Sequence, residues 1–554
     1  MFRRAITIVA VLLLVAGIGT GPAGAAAAPD GGVDTSGVYV ADSGFRPDRD
    51  GFGFENYTNA GAKNLDAASM RRMFGDAVCA EIQGKRCILT TSAETFLQLL
   101  NQAMDGGHCE GLAVEASRLY LGLDEPERYG AKRTVDLKRT VPLERAIAYW
   151  WSTQMTEPTV ANRRSDLTPN EVVDLLRTGF SAPPGPENTY TLELFTRDGS
   201  AGHAITPYAV EDRGNGEMWI MVYDNNFPRQ ARAVRVDTNT NTWSYASGVN
   251  PQAARTEYEG DAETKNLQVT PLAPRLQPQA CPFCAGELDD ETSLRNQVIL
   301  VGRGSRDPRL DFYVTDTLGQ RLGRIGGKIV EEIPDGKVTR LVGKEGGTGR
   351  LAKDSAAPVL SLPATLDGEI TVAVPAEMRT TARLELAMVG AGFDVAATDL
   401  VVKPGETSQL GFRADGSVVT YRGTAGATPR VVVGTGPDTD PSEDESREVV
   451  PVESEADYLI EVQGTKITGE SAFGISSDDD DNLLVQTATR GRFDIDLALD
   501  RGKRVQKVSL DGVTLRKGDT VRVAILDWKG GPKLRGEIMH TNGTSTPVTF
   551  RRPA

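Results

Sequence analysis

The sequence predicts a multidomain protein in which one mixed α+β domain is followed by two all-β, sandwich-like domains. The chain has 554 residues, which is too many for a single hydrophobic core. Helix signals precede short strand-like runs over residues 51–285, and this order is typical of an α+β domain. Beyond a proline-rich stretch that ends at Pro282, the chain shows almost only strand-like runs.

The first residues have the three parts of a secretory signal peptide. Arg3 and Arg4 precede an apolar stretch over residues 6–18, and a series of small residues follows it. This pattern predicts a signal peptide over residues 1–28 and a secreted, extracellular protein without a membrane span in its mature form. A membrane anchor is the weaker alternative, because the apolar stretch is short for crossing a bilayer. Residues 29–50 are rich in glycine and aspartate and are expected to form a flexible lead-in.

Local signals over residues 51–285 place several helices before a mostly antiparallel sheet. A capping-box spacing at Thr91–Glu94 starts a helix that is expected to break near Gly106. Further helices are expected from Cys109, from Leu143 and, after a second capping box, from Pro169. Turn-forming residues then separate four strand-like runs, at residues 190–195, 204–210, 218–223 and 233–236.

The second half of the chain is predicted to contain two all-β domains. Strand-like runs such as those at residues 298–301 and 383–388 assign residues 290–433 to the first of them. Residues 434–449 are acidic and rich in proline and glycine, a composition that cannot bury a core, and are expected to be a linker. Residues 450–554 again show strand-like runs and are assigned to the second.

The net charge of the chain limits the classes of binding partner that can be expected. The formal net charge is −15 and the sequence pI is about 5.0. A general nucleic-acid binder carries a basic face, so nucleic acid is not an expected partner. Acidity of this kind favours solubility and does not indicate a fold.

The odd number of cysteines leaves one thiol without a disulfide partner. In an exported protein cysteines are expected to pair, and this chain has five. Cys79 and Cys87 are spaced for a small disulfide loop, and Cys281 and Cys284 form a C-x-x-C sequence. The remaining residue is Cys109, which by this count alone is as consistent with a packed core thiol as with a reactive one.

The C-x-x-C sequence is most simply a disulfide that fixes the proline-rich hinge. As half of a zinc site it lacks a second cysteine pair or a nearby pair of histidines. As a redox motif it lacks a βαβ setting. We therefore expect neither a metal nor a cofactor.

The residues around Cys109 give a physical reason for reactivity. Two glycines, Gly106 and Gly107, allow a sharp turn directly before the helix that starts at this cysteine. A thiol at a helix N-terminus faces unpaired N–H groups and the positive end of the helix dipole, and both favour the reactive thiolate.

The chain has only three histidines, so the search for a general base is short. His203 begins an apolar strand, and Asp224 ends the next one. In a hairpin the start of one strand lies beside the end of its neighbour, so the acid can orient the imidazole. His108 is expected to be a loop or substrate-side residue and His540 a turn residue. The alternatives are a strand-capping role for His203 and an Asx turn at Asp224.

The segments G-G-H-C-E-G-L-A, G-H-A-I-T-P-Y and V-Y-D-N-N-F-P, in this order, resemble papain-like cysteine peptidases, and most closely the bacterial C39-like branch. The resemblance covers about residues 51–250. It implies a papain-like α+β domain with Cys109 as nucleophile, His203 as base and Asp224 as the orienting acid.

The oxyanion donors follow the resemblance less closely. The backbone N–H of Cys109 is expected to be one donor, and Gln102 or Asn101 the second. The family commonly has a glutamine six residues before the cysteine, whereas Ala103 stands there in this chain and Gln102 is seven residues before.

Two functions follow. The first is a secreted cysteine hydrolase that cleaves peptide or isopeptide bonds through an acyl-enzyme, with peptide or protein substrates that include cell-wall peptides. The second is a non-catalytic interaction or adhesion protein whose β domains carry the binding.

Overall fold

The structure is a computed structural model. It describes residues 38–197, 199, 201–247, 256–284, 295–302, 310–342, 357–424, 429–435, 457–467, 470–478, 482–500, 505–527 and 533–552. The predicted signal peptide over residues 1–28 therefore lies outside the described residues, as do residues 29–37 of the predicted lead-in.

The first part of the described chain combines helices with an antiparallel sheet. The helices are α1 (Ala67–Phe74), α2 (Thr91–Ala103), α3 (Cys109–Tyr120), α4 (Val141–Ser152), α5 (Thr159–Asn162) and α6 (Pro169–Phe180). The strands are β1 (Val38–Asp42), β2 (Cys79–Gln83), β3 (Arg86–Leu89), β4 (Tyr190–Phe195), β5 (Gly202–Gly214), β6 (Glu217–Tyr223), β7 (Ala231–Asp237), β8 (Thr242–Ser247), β9 (Thr256–Asp261) and β10 (Leu267–Pro271). Eight of them form one sheet of order β10-β4-β5-β6-β7-β8-β9, with β1 paired to β5, while β2 and β3 form a separate hairpin.

The second part contains only strands within the described residues. They are β11 (Arg295–Gly302), β12 (Asp311–Asp316), β13 (Arg321–Ile325), β14 (Lys328–Glu331), β15 (Lys337–Thr339), β16 (Val359–Pro363), β17 (Gly368–Ala373), β18 (Ala382–Gly390), β19 (Phe393–Val402), β20 (Thr407–Phe412), β21 (Val418–Gly423) and β22 (Arg430–Thr435). After them come β23 (Asp457–Ile467), β24 (Ser471–Ser477), β25 (Leu483–Thr487), β26 (Gly491–Asp500), β27 (Val505–Leu515), β28 (Thr520–Asp527), β29 (Lys533–Met539) and β30 (Ser545–Val548).

These twenty strands form two long antiparallel sheets. One has the order β15-β16-β11-β18-β19-β22-β23-β26-β27, and the other β14-β13-β12-β17-β20-β21-β24-β25-β28-β29-β30. Residues from both sheets share one hydrophobic cluster. The predicted combination of a mixed α/β part with a β-rich second half is therefore confirmed.

The predicted division of the second half into two β domains does not match the sheets. Both sheets continue across the predicted linker, one through the β22–β23 pair and the other through β21–β24. Gly434 and Thr435, the first residues of that linker, belong to β22. Residues 436–450 lie outside the described residues. Main-chain pairing between strand edges joins the two regions, and composition does not reveal such pairing.

The predicted flexible lead-in is also corrected. Its residues 38–42 form β1, which pairs with the far end of β5 through Val38–Asp212 and Ala41–Val210. Phe45, which follows, is 2 % exposed and packs against Tyr208 and Tyr223. This aromatic contact stabilises the segment despite its glycine- and aspartate-rich surroundings.

Strand β5 is the centre of the first sheet. Residues 202–211 are buried on both faces, because α3 packs on one side and α6 on the other. A bulge between Pro207 and Ala209 accommodates a proline that cannot donate a ladder hydrogen bond. No described helix is both long and apolar enough to span a membrane.

The helix that begins at Cys109 crosses α4 closely at Gly111. A Cβ added at Gly111 would lie 2.0 Å from the carbonyl oxygen of Ile147, so only glycine permits this approach. The glycine in the Cys-Glu-Gly-Leu sequence thus sets the position of the first turn of α3.

A buried ionic network fixes the same turn from the other side. Arg275 contacts the carboxylates of Glu110 and, at 3.5 Å, Glu193, and all three side chains are fully buried. Arg163 contacts Glu193 at 3.0 Å, and Thr153 accepts a hydrogen bond from Arg275 at 2.9 Å. Burial raises the pKa of Glu110 even though the charge of Arg275 lowers it.

We expect Arg275→Ala to lower the free energy of unfolding by roughly 3–5 kcal/mol, because it removes the cation that contacts two buried carboxylates. Chemical denaturation measures the change. Arg321→Ala, which breaks an exposed pair with Glu332, is the matched control and should have a much smaller effect. Equal effects of the two substitutions would contradict the buried network.

Candidate active site

Cys109 is the first residue of α3 and carries the one free thiol. The preceding Gly107 has φ +135°, a conformation that favours glycine, so the predicted sharp turn into the helix is present. The thiol is fully buried and packs with Phe195, Ala204 and Val342. It therefore lies at the N-terminus of a helix, as the sequence predicts.

His203 lies near the start of β5, opposite Leu194 of β4. Its Nε2 is 2.7 Å from Oδ1 of Asp224, and both side chains are fully buried. A carboxylate only accepts, so Nε2 carries the proton in this bond. Nδ1 has no hydrogen bond of normal geometry among the described residues, and the nearby side chain of Cys109 contributes to the raised pKa of the ring. Nδ1 is therefore the nitrogen that can accept the thiol proton.

Asp224 follows directly after β6 and is held by three donors. Besides His203, the backbone N–H of Asn226 donates to Oδ1 at 2.9 Å, and the Tyr245 hydroxyl donates to Oδ2. The predicted Asx turn and a hydrogen bond from His203 thus occur together at this residue. The structure brings the three predicted triad residues into one cluster.

His203 and Asp224 each stabilise the charged form of the other. Burial lowers the pKa of His203, but the charge and hydrogen bond of Asp224, together with Cys109, raise it well above its ordinary value. Burial raises the pKa of Asp224, but His203, Tyr245 and Asn226 leave it lower than usual. The site therefore favours an imidazolium beside a carboxylate.

Three residues that sequence reasoning did not assign complete the site. Asn225 donates from Nδ2 to the carbonyl oxygens of Cys109 at 3.1 Å and Ala204 at 2.9 Å, and so ties α3 to β5. Asn226 fixes Asp224 through its backbone. Tyr245 comes from β8, and no local sequence signal connects it with Asp224.

The other two histidines make their hydrogen bonds outside this cluster. His108 is fully buried and stacks on Tyr57, while its ring nitrogens contact the Tyr57 carbonyl at 2.8 Å and Asn64 at 2.9 Å. Burial lowers the pKa of His108 to about 4. It stabilises the loop at residues 56–64 and has no ring nitrogen left for a substrate. His540 follows β29 and contacts Asp519 and Thr546.

Gln102 and Asn101 differ in their availability as oxyanion donors. Both polar atoms of the Asn101 side chain bind the backbone of Leu65, at 3.0 and 3.1 Å. Gln102 is half-buried in the last turn of α2. Gln102 is the better candidate, and its role remains a prediction.

Both predicted disulfides are present. Cys79 is bonded to Cys87 across the β2–β3 hairpin, and Cys281 to Cys284. Phe283, between the latter two, packs on Phe74 and Phe96. Among the described residues, no cluster of histidine, cysteine or acidic side chains has the form of a metal site.

Comparison with known proteins adds no relative. No family model matches the chain, and neither a curated protein nor a solved structure matches it. Functional inference therefore depends on the geometry of the site. A thiol, an imidazole and a carboxylate in series provide a nucleophile, its base and the group that orients the base.

The sign of the pH dependence follows from the two pKa directions. The raised folded pKa of His203 stabilises the fold fully below the ordinary value of about 6.5, and this stabilisation is lost as the pH rises through the folded value. The lowered pKa of Asp224 stabilises the fold above about 3.9, and this stabilisation is lost as the pH falls through the folded value.

Asp224→Asn should therefore lower the pKa of His203, because burial remains while the carboxylate charge is lost. Selective ¹³C labelling of histidine yields only three ring signals to follow through a pH titration. Asp519→Asn, beside His540, is the matched control and should leave the His203 signal unchanged. An unaltered His203 titration in Asp224→Asn would refute the pairing.

Tyr245→Phe should lower the free energy of unfolding by about 1–3 kcal/mol, because a buried carboxylate oxygen loses its donor. Tyr57→Phe is the control, since that hydroxyl is buried without a hydrogen bond among the described residues. Chemical denaturation compares the two variants. Equal stability of Tyr245→Phe and Tyr57→Phe would show that the Tyr245 hydroxyl does not support Asp224.

Proposed function

We propose that this protein is a secreted cysteine peptidase of papain-like type that cleaves peptide or isopeptide bonds through an acyl-enzyme on Cys109. One observation carries the proposal: the free thiol at the start of α3 lies beside a histidine whose other nitrogen is bonded to a buried carboxylate. A helix that bears the nucleophile and packs on an antiparallel sheet that bears base and acid supports the papain-like assignment.

The proposed reaction begins when Nδ1 of His203 takes the thiol proton and the sulfur attacks the substrate carbonyl. The negative charge on the carbonyl oxygen is stabilised by the backbone N–H of Cys109 and by Gln102. The imidazolium then gives its proton to the leaving amine as the C–N bond breaks. Water, deprotonated by the same imidazole, hydrolyses the thioester and restores the thiol.

The proposed secretion agrees with the two disulfides, because such bonds persist in oxidising compartments. A peptidoglycan peptidase is a variant of the same proposal and changes only the substrate. The orienting acid favours the C39-like form over that variant.

A non-catalytic binding protein is the second candidate, and the burial of the triad favours it. Cys109, His203 and Asp224 are each 0 % exposed, so a substrate does not reach the thiol without movement of its cover.

The enzyme proposal predicts that Cys109→Ala abolishes peptide cleavage and that His203→Ala lowers kcat/KM by at least about 10³-fold. A proteome-derived peptide library digested by each variant measures both effects. His540→Ala is the matched control and should cleave at the wild-type rate. Cleavage that persists in Cys109→Ala would exclude this nucleophile.

Alkylation by iodoacetamide provides a readout that does not need a substrate. The other four cysteines are in disulfides, so the reagent reports on Cys109 alone. An activated thiol reacts well below about pH 8 and loses this reactivity in His203→Ala. An ordinary thiol profile in both proteins would favour the binding-protein candidate.

A further inference from the structure

A short segment from the β-rich part of the chain covers the nucleophile. Residues 340–342 follow β15, and Val342 packs directly with Cys109, Phe195 and Ala204. Val342 is 2 % exposed, and Cys109 is not exposed at all. We call residues 340–342 the strap.

The α/β part binds the backbone of the strap with buried side chains. The Val342 N–H donates to Oε1 of Gln154 at 3.0 Å, and the Arg340 carbonyl accepts from Arg163 at 3.3 Å. Gln154 is fully buried, and the Arg163 side chain is held in place by Glu193 at 3.0 Å. One donor and one acceptor of the strap backbone are thus satisfied by the same surface.

Gly202, next to the base His203, makes room for this contact. A Cβ at Gly202 would lie 3.1 Å from the Leu341 carbonyl oxygen and 2.9 Å from the Phe195 ring. Any larger residue would push the strap away from the first residue of β5. The close approach therefore depends on a glycine beside the candidate base.

The strap side chains occupy distinct environments. Leu341 is 2 % exposed and belongs to the cluster formed by α1, α2 and the adjoining β sheet. The Arg340 guanidinium lies 5.8 Å from the centre of the Phe195 ring. Among the strap side chains, Val342 is the one in the apolar cluster of Cys109, Phe195 and Ala204.

Backbone hydrogen bonds that hold an extended segment, with pockets for its side chains, are the means by which peptide clefts bind their ligands. We propose that the surface formed by Gln154, Arg163, Phe195 and Gly202 is a peptide-binding cleft and that the strap fills it in cis. Its ligand is an extended peptide with a β-branched aliphatic residue against Cys109 and a basic residue two positions earlier. This inference rests on the proposed peptidase function and names its substrate class.

The strap also limits access. A ligand on the same chain competes at a high effective concentration, so an external peptide must displace it before it reaches Cys109. The full chain is accordingly a restrained enzyme, and weakening the strap increases access to the thiol.

Alkylation of Cys109 in the full chain tests whether the strap limits access to the thiol. Val342→Ala should react about tenfold faster than wild type, the factor expected when two buried methyl groups are removed. Val330→Ala, at a half-buried valine on β14 in the other long sheet, is the matched control and should react at the wild-type rate. Val342→Thr keeps the shape and places a hydroxyl in the apolar cluster, and it should also accelerate alkylation if Val342→Ala fails to fold.

A capped peptide with the sequence of residues 337–343 tests the cleft itself. It should slow alkylation of Val342→Ala, whereas the same peptide with aspartate in place of the valine at position 342 should not. A wild-type alkylation rate in both folded Val342 variants, or absence of protection by the peptide, would overturn the proposal.

The outcomes separate this inference from the proposed function. Faster alkylation with an ordinary pH profile and no peptide cleavage would support the peptide-binding cleft and contradict the proposed peptidase function. An unchanged alkylation rate, together with peptide cleavage that depends on His203, would support the peptidase function and contradict the proposed role of the strap.

Discussion

The buried hydrogen bond between His203 and Asp224 is the interaction on which the site depends. Two groups that favour the charged state lie 2.7 Å apart without any exposure to solvent. Removing one partner of such a pair costs roughly 3–5 kcal/mol, because the other charge is left buried and uncompensated. Tyr245 and the Asn226 backbone reduce this cost, since each donates to the carboxylate. Their positions are therefore part of the requirement for a stable pair.

A second electrostatic constraint lies beside Cys109 in the chain. Glu110, adjacent to Cys109, is fully buried, and a buried carboxylate is costly unless a cation compensates its charge. Arg275 contacts Glu110 directly, and Arg163 lies close enough to lower its pKa. The network thus compensates the charge of Glu110 and fixes the first turn of α3.

The sequence predicts those features that depend on local pattern or on counting. The odd number of cysteines and their spacing along the chain predict both disulfides and leave Cys109 unpaired. Hairpin geometry brings His203 to Asp224, because a tight turn joins β5 to β6, although two bulges shift the register between that turn and His203. Tyr245 and Val342 could not be predicted in this way: their contacts depend on strand order and on packing between distant segments.

The same reasoning explains the two corrected boundaries. The acidic stretch after Thr435 has the composition of a linker, but composition does not indicate whether the flanking strands pair with each other. The lead-in carries one aromatic anchor, Phe45, whose partners Tyr208 and Tyr223 lie far along the chain. Long-range pairing decides both cases, and single-sequence patterns contain little information about it.

Access to Cys109 is determined by the β-rich part of the chain. The segment that covers the sulfur follows β15, and the position of β15 is set by its pairing with β16. Helix α2 packs on the same sheet, and Thr95 donates a hydrogen bond to Asp394 of β19 at 3.0 Å. The sheet that leads to Val342 is thus attached to the helices of the α/β part. The β sheets are in this sense part of the candidate site, because they set the position of a residue that packs in the same cluster as Cys109.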